Sequence, residues 1–200
     1  EGTRKQLHLH AAHQFADGTV YHWWHPLSEE GHPSGYSDDL LWLPFVMLNY
    51  LKETGRWATL AEEAPFAPRP GAAGEKQSGT LHDHAIRAIE KALSRLSKRG
   101  LPLMGEADWN DGLSGVGRGG KGESVWMAHF LIGILRDWAE MTDRAVTLRS
   151  LPAREKRRAA RYRKAAEKLK TTVNRVAWDG EWYWRATTDD GLVLGSKKSK

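Results

Sequence analysis

Apolar residues recur at helical spacing along most of this chain, and five segments carry the repeat. The first, over 3–15, is weakly periodic. The second opens at Ser37, a suitable N-cap, with Asp38 and Asp39 in the first turn, where the helix dipole favours carboxylates. It runs through Leu40, Leu41, Leu43, Leu48 and Leu51 to Gly55, a residue suited to a left-handed stop. Pro44 is expected to bend it or to delay its regular start. Leu81, Ala85, Ile89, Leu93 and Leu96 predict a third helix over 81–98, ended by Gly100. The fourth, over 124–141, is apolar around much of its circumference and so should be deeply buried. The fifth, over 153–176, sets Tyr162, Ala166, Leu169, Val173 and Val176 against faces of Lys and Arg, the pattern of an outer helix with a solvated basic side.

Between these segments the pattern breaks. Residues 17–36 form one loop. Residues 66–79, rich in Pro, Gly and Ala, are expected to be a mobile excursion. Residues 100–123 hold many glycines and little apolar content, and a connection that long is usually functional or disordered. Near the end, 182–187 and 192–194 flank Asp190-Gly191, a favoured turn pair, and predict a hairpin. No short repeat is evident. The sum is an all-α architecture with polar, aromatic loops clustered between helices.

Composition changes this picture in one respect. Ten of the 200 residues are Trp, more than a core of this size requires. Indole is large and carries an N–H that needs a partner, and it serves well as a stacking platform for the flat faces of sugars. The plain alternative for any one of them is core packing. The 30 Lys+Arg against 25 Asp+Glu leave a mild excess of +5, much of it within 154–170, so a uniform nucleic-acid surface is not implied. There are no cysteines, which excludes disulfides and thiolate zinc sites. No apolar run approaches a membrane span and no signal peptide opens the chain, so a cytoplasmic protein without a membrane partner is expected. Both ends read as cuts, which makes the expected unit a partial domain over 1–200.

The candidate chemistry lies in the loops. In Asp108-Trp109-Asn110-Asp111-Gly112 two carboxylates flank an indole and an amide. A sugar-cleaving acid needs a carboxyl group that stays protonated near neutral pH, and an aromatic wall and a neighbouring negative charge both push that way. The alternative is an Asx-rich turn. Ser37-Asp38-Asp39 reads first as local helix-start chemistry. His22-Trp23-Trp24-His25 has no HExxH pattern and no convincing third ligand, so an aromatic, polar lining for a cleft is expected over a metal site. Gly115 to Gly122 reads GVGRGGKG and fits GxGxxG, but the preceding segment is polar, where a nucleotide motif requires a strand. Its backbone N–H groups, with Arg118 and Lys121, are expected to shape a sugar or phosphate pocket. With no Gly-x-Ser-x-Gly elbow and no Cys, carboxylate chemistry is what remains.

In order along the chain, HQFADGTVYHWWHP (13–26), SGYSDDLLWLPF (34–45), YLKETG (50–55) before a PF pair (65–66), GLPLMGEADWNDGL (100–113), GKGESVW (120–126) and WDGEWYWRATTDDGLVLGS (178–196) together resemble glycoside hydrolase family 94. The resemblance implies a fragment of an (α/α)6 barrel and the inverting phosphorolysis of β-glucosides, di- or oligosaccharides, to α-glucose 1-phosphate. Inorganic phosphate is then a co-substrate and no cofactor is implied. Carried over by motif, Asp111 is the general acid, and Trp109, Asn110, Asp39 and Trp42 bind the glucosyl unit. The chain departs from many members in having His32-Pro33-Ser34-Gly35-Tyr36, without Arg, before the SDD segment. The family's phosphate-binding groups lie mostly downstream of the final hairpin, so the fragment alone is expected to be inactive. The family's frequent dimers make a homodimer of the complete protein a further expectation. Three other readings stay open: an inverting hydrolase on the same barrel, an inactive carbohydrate-binding fragment, and a nucleic-acid binder using the basic helix.

Overall fold

The computed structural model describes residues 1–69 and 77–199. In chain order these form α1 (Gly2–Ala12), β1 (Tyr21–Trp24), β2 (Gly31–Pro33), α2 (Asp39–Thr54), β3 (Glu63–Pro65), β4 (Ser78–Thr80) and α3 (Leu81–Ser94). Then come β5 (Glu123–Ser124), α4 (Val125–Thr147), α5 (Glu155–Val176), β6 (Ala186–Thr187) and β7 (Val193–Leu194). The five helices supply the body of the fold. Three small antiparallel sheets, β1-β2, β3-β4 and β5-β6-β7, sit in the connections among the described residues. The all-α expectation thus holds for the body, and only the last of the sheets contains the hairpin read from the sequence.

The helices follow their apolar stripes, and their ends follow local chemistry. In α2 the buried face is Leu40, Leu41, Leu43, Met47, Leu48 and Leu51, while Trp42, Phe45 and Val46 remain exposed. Gly55 closes it at φ 65°, with its N–H on the Leu51 carbonyl at 3.0 Å. Pro44 lies inside the helix and does not delay its start; the ring removes one N–H donor from the ladder. Ser37 is not the N-cap. Its hydroxyl donates to the Ala107 carbonyl at 3.2 Å, and the cap position falls to Asp38. A capping box starts α3: Asp83 N–H donates to Thr80 Oγ1 and Thr80 N–H to Asp83 Oδ2, both at 3.1 Å.

Three helices differ in length from their sequence pattern. α3 stops at Ser94, short of the expected 98. Leu96 continues the spacing, but the chain folds back there: Leu103 N–H donates to the Arg95 carbonyl and Ser97 N–H to that of Leu101. α1 ends at Ala12, and Phe15 is fully buried outside it. By contrast α4 runs on to Thr147, past the expected end at Met141, with Ala145 still buried. The pairing of α4 with α5 is the most extensive helix contact among the described residues; Trp138 of α4 and Tyr162 of α5 are fully buried, beside His82 and Glu90 of α3. The basic face of α5 is laced with ion pairs: Arg158 to Glu155, Arg161 to Glu90 and Arg163 to Asp143. The loop expected over 17–36 contains the β1-β2 hairpin. Half of the excursion expected over 66–79, residues 70–76, lies outside the described residues.

Candidate active site

The two acidic motifs are brought together by backbone. Residues 35–37, which lead into α2, run beside residues 105–107, which lead into the Asp108–Asp111 segment. Glu106 N–H donates to the Gly35 carbonyl and Ser37 N–H to the Ala107 carbonyl, each at 2.9 Å, and Tyr36 pairs with Gly105. The approach is close enough to require glycine. A Cβ on Gly105, whose φ is 65°, would lie 2.3 Å from the Gly35 oxygen.

On one side of this junction stands Asp39, in the first turn of α2. Its Oδ2 accepts from the Ser34 hydroxyl and from His22 Nδ1, the latter at 2.8 Å. The His22 ring in turn stacks on Tyr36, with centroids 4.2 Å apart and planes 12° apart. Asp39, His22, Trp24 and Trp42 are among the residues lining a cleft of about 210 Å³. Of the HWWH segment, His22 and Trp24 therefore meet the expectation of an aromatic, polar lining. Trp23 faces away and lies edge-on to His25. Among the described residues no group of three or more His, Asp or Glu is arranged to hold a metal ion.

Asp38 differs from its neighbour. It is buried, its Oδ2 accepts from the Trp42 indole N–H at 2.9 Å, and its Oδ1 has no partner among the described residues. Burial pushes its carboxyl up to about 6, and the charge of Asp39 adds to this. Asp38 thereby fixes the Trp42 ring, which packs 5.0 Å from Phe130. Phe130 meets Trp126 at 5.2 Å, and Trp126 meets Trp109 at 5.8 Å. A band of four aromatic rings thus joins the Asp39 cleft to the Asp111 segment.

In that segment the two carboxylates part company. Asp108 is fully buried. It accepts from Ser124 Oγ at 2.5 Å, Arg185 Nη2 at 2.5 Å and Asn110 N–H at 3.2 Å, so it is a structural acceptor. Asn110 Oδ1 accepts from Gly112 N–H at 3.1 Å, which is the Asx turn anticipated as the plainer reading. That turn coexists with an outward-facing Asp111, which opens a short 3-10 turn (Asp111–Leu113). The expectation that an indole wall buries this carboxyl is not met. The Trp109 ring, 55% exposed, turns toward Trp126, and Asp111 stays exposed.

Tyr36 links the two sides. Burial and the charges of Asp111, Glu106 and Asp39 together raise its phenol above the usual range, while Arg118 acts against them. Asp111 and Asp39 therefore act on one phenol, which stays protonated and able to donate. Tyr36 and Ser34 were not singled out from sequence, although they stand within five residues of Asp39; His22 was read only as part of a cleft lining, and its bond to Asp39 spans 17 residues.

The glycine-rich stretch is a correction. The N–H groups of Gly119, Lys121 and Gly122 converge, as expected of an anion cradle, but they hold the Asp189 carboxylate at 2.7, 2.8 and 2.8 Å. These donors keep the Asp189 carboxyl below its ordinary range. The cradle is filled from within the chain, so these three N–H groups are not open to a sugar or phosphate in this arrangement.

The Asp39 cleft is lined by indoles, imidazoles and a carboxylate, and the aromatic band runs from it to the segment of the exposed Asp111. Residues 1–200 match the family described as "Glycosyl hydrolase 94 superfamily, catalytic domain", and the chain belongs to that family. It is 35% identical over 98% of its length to the cyclic beta-(1,2)-glucan synthase NdvB of Rhizobium meliloti (strain 1021), covering 7% of that protein. It is 34% identical over 92% of its length to the solabiose phosphorylase of Paenibacillus borealis, covering 22% of it. To the cellobionic acid phosphorylase of Neurospora crassa it is 33% identical over 82%, covering 19%. The chain thus spans about a fifth or less of the length of these relatives. No helix among the described residues is long and apolar enough to cross a membrane.

Proposed function

We propose that the protein containing this chain is an inverting phosphorylase of β-linked glucosides, and that the chain supplies its acid and part of its glucosyl site within an (α/α)6 barrel. The observation that carries the reading is the backbone pairing of 35–37 with 105–107, which brings together the segments of Asp39 and Asp111, with one aromatic band running from Trp42 to Trp109. Two relatives named as phosphorylases support the reaction class.

In this reading the Asp111 carboxyl donates its proton to the glycosidic oxygen as the C1–O bond breaks. Phosphate forms the new bond to C1 from the opposite face, giving α-glucose 1-phosphate and a free hydroxyl on the acceptor. Phosphate is already an anion, so no catalytic base is needed. Asp39, with one oxygen committed to Ser34 and His22, presents the other to sugar hydroxyls. Trp109 and Trp42 stack against the sugar, and Asn110 adds its side-chain amide. A glucoside lying on Trp109 covers the exposed Asp111. No organic cofactor enters this scheme. The acceptor, the linkage and a homodimeric assembly go with the complete protein.

The test is Asp111→Asn in the full-length protein. Phosphorolysis is expected to fall by at least about 100-fold, the scale of a lost general acid, with an unchanged melting temperature. Near-normal turnover would remove the assignment. Free glucose in place of glucose 1-phosphate from the unaltered enzyme would convert the reading to a hydrolase.

A further inference from the structure

The segment carrying Trp109, Asn110 and Asp111 is held from the far end of the chain. Arg185 lies 77 residues beyond Asp108, yet its guanidinium reaches the buried Asp108 carboxylate at 2.5 Å and lies 3.4 Å from Ser124 Oγ. The arginine itself is fixed at the backbone. Its N–H donates to the Leu194 carbonyl at 2.8 Å, and its carbonyl accepts from Val125 N–H at 3.2 Å. Four residues on, Asp189 grips the other end of the same connection through Gly119, Lys121 and Gly122. The exposed Asp111 lies between these two anchors.

The link from Arg185 to Asp111 is short. The oxygen of Asp108 that receives the guanidinium also accepts the Asn110 N–H, at 3.2 Å. That bond fixes the peptide plane entering Asn110, and so the direction in which the next residue, Asp111, leaves the core. Asp108 is wholly enclosed, so without Arg185 it is an uncompensated charge that must move toward water or take up a proton. Either response alters the bond to Asn110. Arg185 does not line the Asp39 cleft.

We propose that Arg185 is a positioning residue for Asp111, acting through Asp108 and the Asn110 N–H. The inference rests on the reading of Asp111 as the acid. Its function is to hold the carboxyl in line with the glycosidic oxygen. Its loss therefore lowers the rate of bond cleavage more than the binding of either substrate.

The experiment uses the full-length protein with Arg185→Met, Arg185→Lys, Asp111→Asn and the uncharged pair Arg185→Gln with Asp108→Asn. For Arg185→Met, kcat of phosphorolysis is expected to fall about 10- to 100-fold, the range for a lost partner behind a working group. KM for phosphate and for the glucoside should stay within about threefold. Arg185→Lys keeps the charge but not the fork, and should recover kcat to within about tenfold of the unaltered enzyme. The uncharged pair, which leaves no buried charge, separates positioning from folding and should keep the native melting transition with a lowered kcat. Unaltered kcat in a folded Arg185→Met or in the uncharged pair overturns the proposal. So do equal losses in kcat and in substrate affinity, or failure of both Arg185→Met and the pair to fold, since the role is then structural. If Asp111→Asn retains turnover, the reading of the acid falls first. If Asp111→Asn is inactive and Arg185→Met is not, only the positioning role falls.

Discussion

Asp38 and Asp39 are neighbours with opposite surroundings, and the difference has a measurable sign. Asp38 is 2% exposed, with one oxygen on the Trp42 indole N–H and the other unpartnered among the described residues. Burial raises its carboxyl from the ordinary 3.8 to about 6. A folded state that holds its proton more tightly than the unfolded chain is most stable at low pH. The stability is complete below about pH 4, is lost as pH rises through about 6, and does not return above it. A rise of about two units corresponds to roughly 3 kcal/mol. Asp38→Asn removes the charge and keeps an acceptor for Trp42. It is expected to raise the melting temperature at about pH 8 and to leave it nearly unchanged at about pH 4. Thermal melts at the two pH values check this, and equal shifts at both would exclude burial of the charge as the cause.

At the scale of the element, two N-caps that look alike in sequence carry different weight. Thr80 caps α3 in a box closed by Asp83, near the surface. Ser124 caps α4 by accepting from Met127 N–H at 3.0 Å, and the same hydroxyl donates to the buried Asp108. Thr80→Ala is expected to destabilise by about 1 kcal/mol, the usual value of a cap. Ser124→Ala removes the cap and also one of the donors to a buried carboxylate, so about 2–3 kcal/mol is expected. Chemical denaturation of the two variants gives the comparison; equal losses would show that the Asp108 contact contributes nothing. Helix bodies were legible from sequence for the same reason that they are stable. In α2, α4 and α5 the apolar stripe is the buried face. Their ends were less so. Leu96 prolongs the stripe of α3 beyond Ser94, because spacing alone does not register the turn that Ser97 and Leu101 make there. Tyr21, His22, Trp23 and Trp24 lack the alternation of a half-buried strand, which hid the β1-β2 hairpin.

Across the whole molecule, the parts of the candidate site that were legible are those encoded within a few residues. Asp39 follows Ser37 and Asp38, and Trp109, Asn110 and Asp111 are consecutive. What joins them is non-local. The pairing of 35–37 with 105–107 spans 70 residues and leaves no trace in spacing. Likewise Arg185 and Asp189 sit in a hairpin whose turn was readable while its targets were not. The glycine-rich stretch was read as an open anion cradle because its N–H geometry is encoded locally, whereas the Asp189 that fills it comes from 67–70 residues away. The exposure of Asp111 was missed because adjacency to Trp109 in sequence does not determine which way an indole turns.

The strand β5 is only two residues long, and neighbouring side chains on a strand leave from opposite sides. Glu123 gathers Ser97, Arg99 and Thr187, while Ser124 gathers Asp108 and Arg185. Slipping this segment by a single position would therefore exchange both sets of fastenings in one stroke. An inserted or deleted codon between Gly122 and Val125 is a far heavier lesion than any point change at either residue, since it unties the corner at 97–99 and the acid's mooring together.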